Sequence, residues 1–318
     1  MIRLALAALS VALATGALAQ PYPNKPIRMV VPWAAGGTSD TVWRIVGPKL
    51  SEALGQPVIL ENRPGAASTI GAAIVASAKP DGYTLLATSN VHVLSAHLYK
   101  ALPYHAVDDF VPVAQIAQTC SVLVAHPTLP VKTAREFVAY AKANPGKIDY
   151  SSTGNGSGQH LFMSQIAATT GITLNHVPYK NVGQAIAELV GGQVKASVPG
   201  VSIVSQHVRD GRLRALAVTC AKPSRFLPDV PTLDATIAPG YDATLREGLM
   251  APKGMPADLV SRIEGELRKI LEGADTQKSI LGTTSEPIFT GAEEFGRTLR
   301  ADYAKWQKLV KDIGVQAE

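Results

Sequence analysis

Strand, glycine-rich turn and amphipathic helix recur along this chain in a fixed order, and that order confines it to an α/β fold. Residues 27–31, Ile-Arg-Met-Val-Val, read as a buried strand, and residues 32–38 as a Gly-rich turn. Thr38 or Ser39 is placed to cap the following helix, with Asp40 in its first turn. Val42, Val46, Leu50 and Leu54 return at helical spacing until Gly55. A strand at 58–60, a polar turn at 61–68, a small-residue helix at 70–78 and a strand at 83–87 complete a β-α-β-α-β run. Such a run calls for a mostly parallel sheet with helices on its faces.

The rhythm restarts downstream. Strands are expected at 111–116 and 122–125, and Thr133-Ala134-Arg135-Glu136 is a capping box that opens a helix. A short strand at 149–152 leads into a second Gly-rich turn at 153–158 and a helix near Gln159. Further strands are expected at 174–177, 194–198 and 213–218, with helices at 181–190, stopped by Gly191-Gly192, and at 203–208. After Pro256 the pattern is helical only, carried by Val260, Ile263, Leu267 and Leu271, then by Phe295, Leu299, Trp306 and Val310. A tail without strands must pack on an earlier sheet. The first lobe is therefore expected from residues 20–121 and 246–318, and the second from 122–245, joined by two crossing strands. Two lobes so joined enclose a cleft that can close by hinge motion.

Residues 1–19 read as a secretory signal peptide: a basic start at Arg3, an apolar run over 4–18, and an Ala17-Leu18-Ala19 cleavage pattern. The run is short for a membrane span, and no basic stop-transfer cluster follows it. Arg3 is the leader's only charge, so the net charge of +5 falls to +4 in the mature chain, a weak bias toward anions through long-range steering. The basic residues are scattered without aromatic interleaving, so no nucleic-acid partner is expected. The seven His are dispersed and show no metal-ligand spacing, and neither metal nor cofactor is expected. Cys120 and Cys220 are the only cysteines. In an exported chain they form one disulfide or stay two buried thiols; each follows a Thr close to an expected lobe crossing, which favours a bond near the hinge.

The two Gly-rich turns carry the chemistry. In open α/β sheets ligands bind outside the carboxyl ends of the strands. Unpaired N–H groups at helix starts bind anions there. Ala35, Gly36, Gly37, Thr38 and Ser39 form one candidate grip, and Ser152, Thr153, Gly154, Asn155, Gly156 and Ser157 the other, with hydroxyls as added donors. Plain βα turns also favour Gly, so spacing alone leaves that reading open. The nucleotide and hydrolase motifs do not fit: the first turn lacks the Lys of a P-loop, neither is G-x-G-x-x-G, and the second is not a nucleophile elbow.

At several further blocks the chain resembles the tripartite tricarboxylate transporter receptors, the Bug and TctC-like proteins. These blocks are Val31-Pro32-Trp33-Ala34-Ala35-Gly36-Gly37-Thr38-Ser39-Asp40, Glu61-Asn62-Arg63-Pro64-Gly65-Ala66, Lys79-Pro80-Asp81-Gly82-Tyr83-Thr84-Leu85, Tyr150-Ser151-Ser152-Thr153-Gly154-Asn155-Gly156-Ser157 and Asp229-Val230-Pro231-Thr232-Leu233. The resemblance implies a type II-like periplasmic binding fold. It also implies paired loops gripping a carboxylate, 32–40 with Trp33 as a cleft wall and Asp40 at its end, and 152–157 with His160 beside it. It implies no catalytic residues and no cofactor. The expected partners are a small organic anion and a membrane permease of two integral subunits, with the receptor acting as a periplasmic monomer. Two departures alter the usual specificity wall: Lys195 follows Gly191-Gly192-Gln193-Val194 where Asp is common, and Arg246-Glu247-Gly248 stands where Trp-Phe-Gly is common.

Two other readings share these residues. A sensor would present the closed form to a signalling partner instead of a permease. A hydrolase or isomerase would use Ser157 and His160, with Asp40 as orienter. Arg246 is expected to reach the cleft and select a second negative group on the ligand, such as that of a dicarboxylate; aromatic acids are the other expected class. Alternation along a strand lets only one of Arg246 and Glu247 face inward, and an inward Glu247 would instead suit an amino or hydroxyl group.

Overall fold

The computed structural model describes residues 22–99 and 101–313; the expected signal peptide lies outside the described residues. The chain starts with β1 (Ile27–Val31), α1 (Thr38–Leu54), β2 (Val58–Asn62), a 3-10 turn (Ala66–Ser68), α2 (Thr69–Ala76), β3 (Thr84–Ser89) and the short α3 (Val91–Ser95). Then β4 (Phe110–Thr119) crosses to β5 (Val122–Ala125). The second unit continues with α4 (Ala134–Ala143), β6 (Asp149–Ser152), α5 (Gly158–Thr170), β7 (Asn175–Pro178), α6 (Val182–Val190), β8 (Ala196–Ser197), α7 (Val201–Arg209), β9 (Arg214–Val218) and α8 (Leu233–Thr236). The return runs through β10 (Leu245–Pro252), α9 (Ala257–Glu272), α10 (Ala274–Gly282), β11 (Glu286–Gly291) and α11 (Ala292–Ile313).

These strands make two sheets, ordered β11-β4-β10-β3-β1-β2 and β7-β6-β8-β5-β9. The molecule is thus a two-lobed α/β protein. Strands linked by helical crossovers pair in parallel, β1 with β2 and β3, and β6 with β7 and β8. The strands that carry the chain between lobes pair antiparallel to their neighbours, which makes both sheets mixed.

Alternation along β10 decides how lobe one is filled. Leu249 and Ala251 face a core with Val42, Trp43 and Val46 of α1, whereas Met250 packs with Phe295 and Leu299 of α11. Buried apolar faces on both sides of a central strand are what a doubly covered sheet requires.

Two expectations for the tail are corrected. The tail has a strand of its own: β11 pairs antiparallel with β4, with a register shift between Pro287 and Thr290. Pro287 and half-buried side chains throughout hide this edge strand from a search for buried or alternating runs. The last helix is also shared between the lobes. Phe295 and Leu299 belong to a first-lobe core, but Trp306 and Val310 lie in the same core as Leu161, Phe162 and Ile166 of α5. The Phe162 and Trp306 rings are 6.0 Å apart.

Only Cys120 and Ser121 separate β4 from β5, and Leu245, the first residue of β10, pairs with Thr119. The crossings therefore run side by side. Cys120 is bonded to Cys220, 100 residues on, with Cα atoms 5.4 Å apart. Thr219 ties the same region together: its N–H donates to Ser121 O at 2.9 Å, its hydroxyl accepts from the Ser121 N–H at 3.0 Å, and its carbonyl accepts from the Ala243 N–H at 2.9 Å.

Candidate functional site

Strand register puts both glycine-rich loops on the edge where the lobes meet. Glu247, near the start of β10, pairs with Ser89, the last residue of β3, and β3 runs parallel to β1. The loop after β1 therefore leaves the sheet at the crossing edge. In the second sheet Ser121 bridges Gly200, Val124 pairs with Ser197, and Ser197 pairs with Ser151 of β6. The loop after Ser152 leaves at the crossing edge too.

The first loop is braced from within. Gly36 has φ 81°, a left-handed conformation natural to glycine, and its N–H donates to Asp40 Oδ2 at 2.8 Å. Asp40 also accepts from Arg44 Nε and from Asn62 Nδ2, each at 2.8 Å. Burial works to raise the Asp40 pKa, but the bonds from Arg44, Gly36 and Asn62 outweigh it and hold the carboxyl below its ordinary range. Asp40 is thus a buried strut of the loop, not an exposed ligand group or a catalytic orienter. The capping expectation is corrected as well: the cap position is Gly37, Thr38 and Ser39 are already helical, and no side chain caps α1. The N–H groups of Ala35, Thr38 and Ser39 have no acceptor among the described residues. Trp33 is half-buried; its carbonyl accepts from Asn62 at 3.0 Å, and its indole N–H has no partner among the described residues.

The second loop is braced by two histidines. Ser152 is fully buried; its hydroxyl meets His176 Nε2 at 2.6 Å and accepts from the Gly154 N–H at 3.1 Å. His160 Nδ1 accepts from the Gly156 N–H at 3.1 Å, which assigns the neutral ring's proton to Nε2. The His160 and His176 rings stack at 4.1 Å, 2° from parallel. Burial, then the neighbouring His176, pushes the His160 pKa down to about 4. Ser157 caps α5 by accepting from the His160 N–H at 3.3 Å. Ser157 and His160 thus meet through a backbone bond and not as nucleophile and base. The N–H groups of Thr153, Asn155, Gly158 and Gln159 have no acceptor among the described residues.

The expected role of Arg246 is corrected. Its guanidinium donates to Asp242 at 2.8 Å, to Asp302 of α11 at 3.3 Å and to Thr244 O at 3.1 Å. It lies on the α11 side of β10, and both of its terminal nitrogens are engaged there. The two carboxylates respond differently. Thr244 and Arg246 hold Asp242 below its ordinary range against the effect of burial, whereas burial leaves Asp302 above it despite Arg246. Glu247 faces the other way. It is buried on the α1 side of β10, with its Oε2 2.5 Å from Ser39 Oγ. Burial raises its pKa to about 7, and the Ser39 bond offsets only part of that. Ser39 therefore spends its hydroxyl proton on Glu247 whenever that acid is ionised. Lys195 is remote from both loops: its N–H donates to Asp149 O, at the opposite end of β6 from Ser152.

Residues 42–315 match the family model of the tripartite tricarboxylate transporter family receptor. The chain belongs to the tripartite tricarboxylate transporter receptor family. This receptor is 31% identical to Protein BugT of Bordetella pertussis over 98% of both chains. Its fold matches the R. palustris protein solved with adipate at a TM-score of 0.81 and 28% identity, covering 93% of this chain and 99% of that one. It matches MatC of Rhodopseudomonas palustris with bound malate at a TM-score of 0.78 and 27% identity, over 91% and 100%. The receptor is accordingly a periplasmic solute-binding protein of a transport system and not an enzyme.

Proposed function

We propose that this receptor captures a small organic carboxylate between its lobes, 20–121 with 246–318 on one side and 122–245 on the other, the end of α11 packing onto the second, and passes it as a monomer to a permease of two integral subunits. The observation that carries the reading is the uncapped start of α1. A 17-residue helix opens at Gly37 without a side-chain cap, and the nearby Asp40 carboxylate is spent on Gly36, Arg44 and Asn62. Helix starts left in this state are satisfied by water or by an anion. The second loop adds unpaired N–H groups of its own at the same edge of the molecule. Ala35, Gly37, Thr38 and Ser39 on one loop and Thr153, Asn155 and Ser157 on the other are the proposed contacts, with Trp33 as wall. Gly36, Gly154, Gly156, Ser152, His160 and Asp40 hold the loops in shape. The carboxylates held by the two R. palustris proteins, adipate and malate, support the class.

Calorimetry against aliphatic and aromatic carboxylates, paired with small-angle scattering, tests the reading. Binding should come with a smaller radius of gyration. Binding without compaction, or no binding by any carboxylate, would sink it.

A further inference from the structure

Beneath the first loop lies a group that an anion site alone does not need. Glu247 is 3% exposed, and the one partner its carboxyl makes among the described residues is the Ser39 hydroxyl, on the residue whose N–H is open at the start of α1. No cation among the described residues compensates it. Arg44 is bonded to Asp40 and Asn62, and Arg246 points to the opposite face of β10, toward Asp242 and Asp302. A buried acid without a cation is a costly arrangement, and in a binding cleft such a group marks a place for an incoming charge. The hydroxyl adds a direction. With its proton given to Glu247, Ser39 Oγ can offer only lone pairs to a neighbour. Backbone N–H groups that take a carboxylate thus adjoin a hydroxyl that takes a donor.

We infer that Ser39 and Glu247 form a subsite for a protonated amine, so that the preferred ligand is an amino-carboxylate and not a plain mono- or dicarboxylate. The ammonium donates to Ser39 Oγ, Ser39 donates to Glu247, and the ligand carboxylate lies on the N–H groups of Thr38 and Ser39. The subsite rests on the carboxylate reading above and narrows it. Ionisation of Glu247 tunes it. Burial pushes the acid's pKa up to about 7, with the Ser39 bond working the other way. Of the groups around it, Asp40 on α1 is neutralised by Arg44, Ser89 on β3 and Ala117 on β4 carry no charge, and Arg246 on β10 faces away. The preference for an amine should therefore grow as pH rises from 6 to 8.

The experiment measures affinities for three matched pairs: succinate and L-aspartate, glutarate and L-glutamate, pentanoate and L-norvaline. The wild type is compared with Glu247→Gln and Ser39→Ala at pH 6 and 8. In the wild type at pH 8 the amine-bearing member of a pair should bind about 30-fold more tightly or better, the order expected of one desolvated charge pair. The ratio should shrink at pH 6 and collapse in Glu247→Gln at either pH, while that variant still binds the amine-free acids. Equal or tighter binding of the amine-free acids by the wild type would overturn the subsite and leave carboxylate capture standing. So would an unchanged ratio in Glu247→Gln. Failure of every probe to bind would overturn both.

Discussion

Glu247→Gln should make the ligand-free protein more stable at alkaline pH and hardly alter it in acid. Burial moves this carboxyl from 4.5 to about 7 in the folded chain. Above 4.5 the unfolded chain gives up the proton while the folded one keeps it, so stability falls as pH rises until Glu247 ionises in the fold as well. Each unit of separation corresponds to about 1.4 kcal/mol. The 2.5 units between the two values therefore cost the wild type about 3 kcal/mol at pH 8 and less than about 1 kcal/mol at pH 5. Glutamine has nearly the same shape, retains a hydrogen-bonding group for Ser39 and has no charge to bury. Urea unfolding of both proteins at pH 5, 6, 7 and 8 gives the test. The two stabilities should diverge with rising pH, the variant ahead by about 3 kcal/mol at pH 8. A constant offset across the range, or a variant that is less stable at pH 8, would refute the burial reasoning.

Three other perturbations follow from the geometry. Gly156→Val should weaken carboxylate binding by about tenfold or more, because Gly156 has φ 75° and a Cβ there would stand 2.8 Å from Leu98 Cδ1; Gly37→Ala, at an ordinary φ of −72°, should be much milder, and equal losses by calorimetry would count against the loop's role. Arg246→Ala should destabilise by about 3 kcal/mol in chemical unfolding, since it removes the guanidinium that bonds both Asp242 and Asp302 and leaves them only the field of Lys305; a selective loss of dicarboxylate affinity would show that Arg246 does face the ligand. Thiol titration of denatured, unreduced periplasmic protein should find no free thiol, and the Cys120→Ala/Cys220→Ala double variant should lose up to about 5 kcal/mol, the scale for closing a loop of 100 residues. Two reactive thiols would exclude the bond.

Local order was readable from the chain itself. Strand, glycine turn and helix follow from patterns a few residues long, so β1, α1, β6 and α5 fall close to their expected places. Both glycine loops and the open N–H groups that make them candidate anion grips came from the same local chemistry, because a helix start exposes its N–H groups whatever surrounds it. What a side chain does inside those elements was decided elsewhere. Asp40 reads as a first-turn acid, and only the approach of Asn62 from β2 and Arg44 from the next turn makes it a brace. His160 reads as a ligand neighbour, and only β7 brings His176 against its face. Arg246 and Glu247 are adjacent, and alternation says that they point apart without saying which one meets α1. That choice belongs to the packing of two helices on opposite faces of β10: α11 supplies Asp302 on one side, and α1 supplies Ser39 on the other. Spacing along the chain sets the period of such contacts, but partners 56 and 208 residues away are set by how the sheets close, and that closure settled which charge lies beneath the loop.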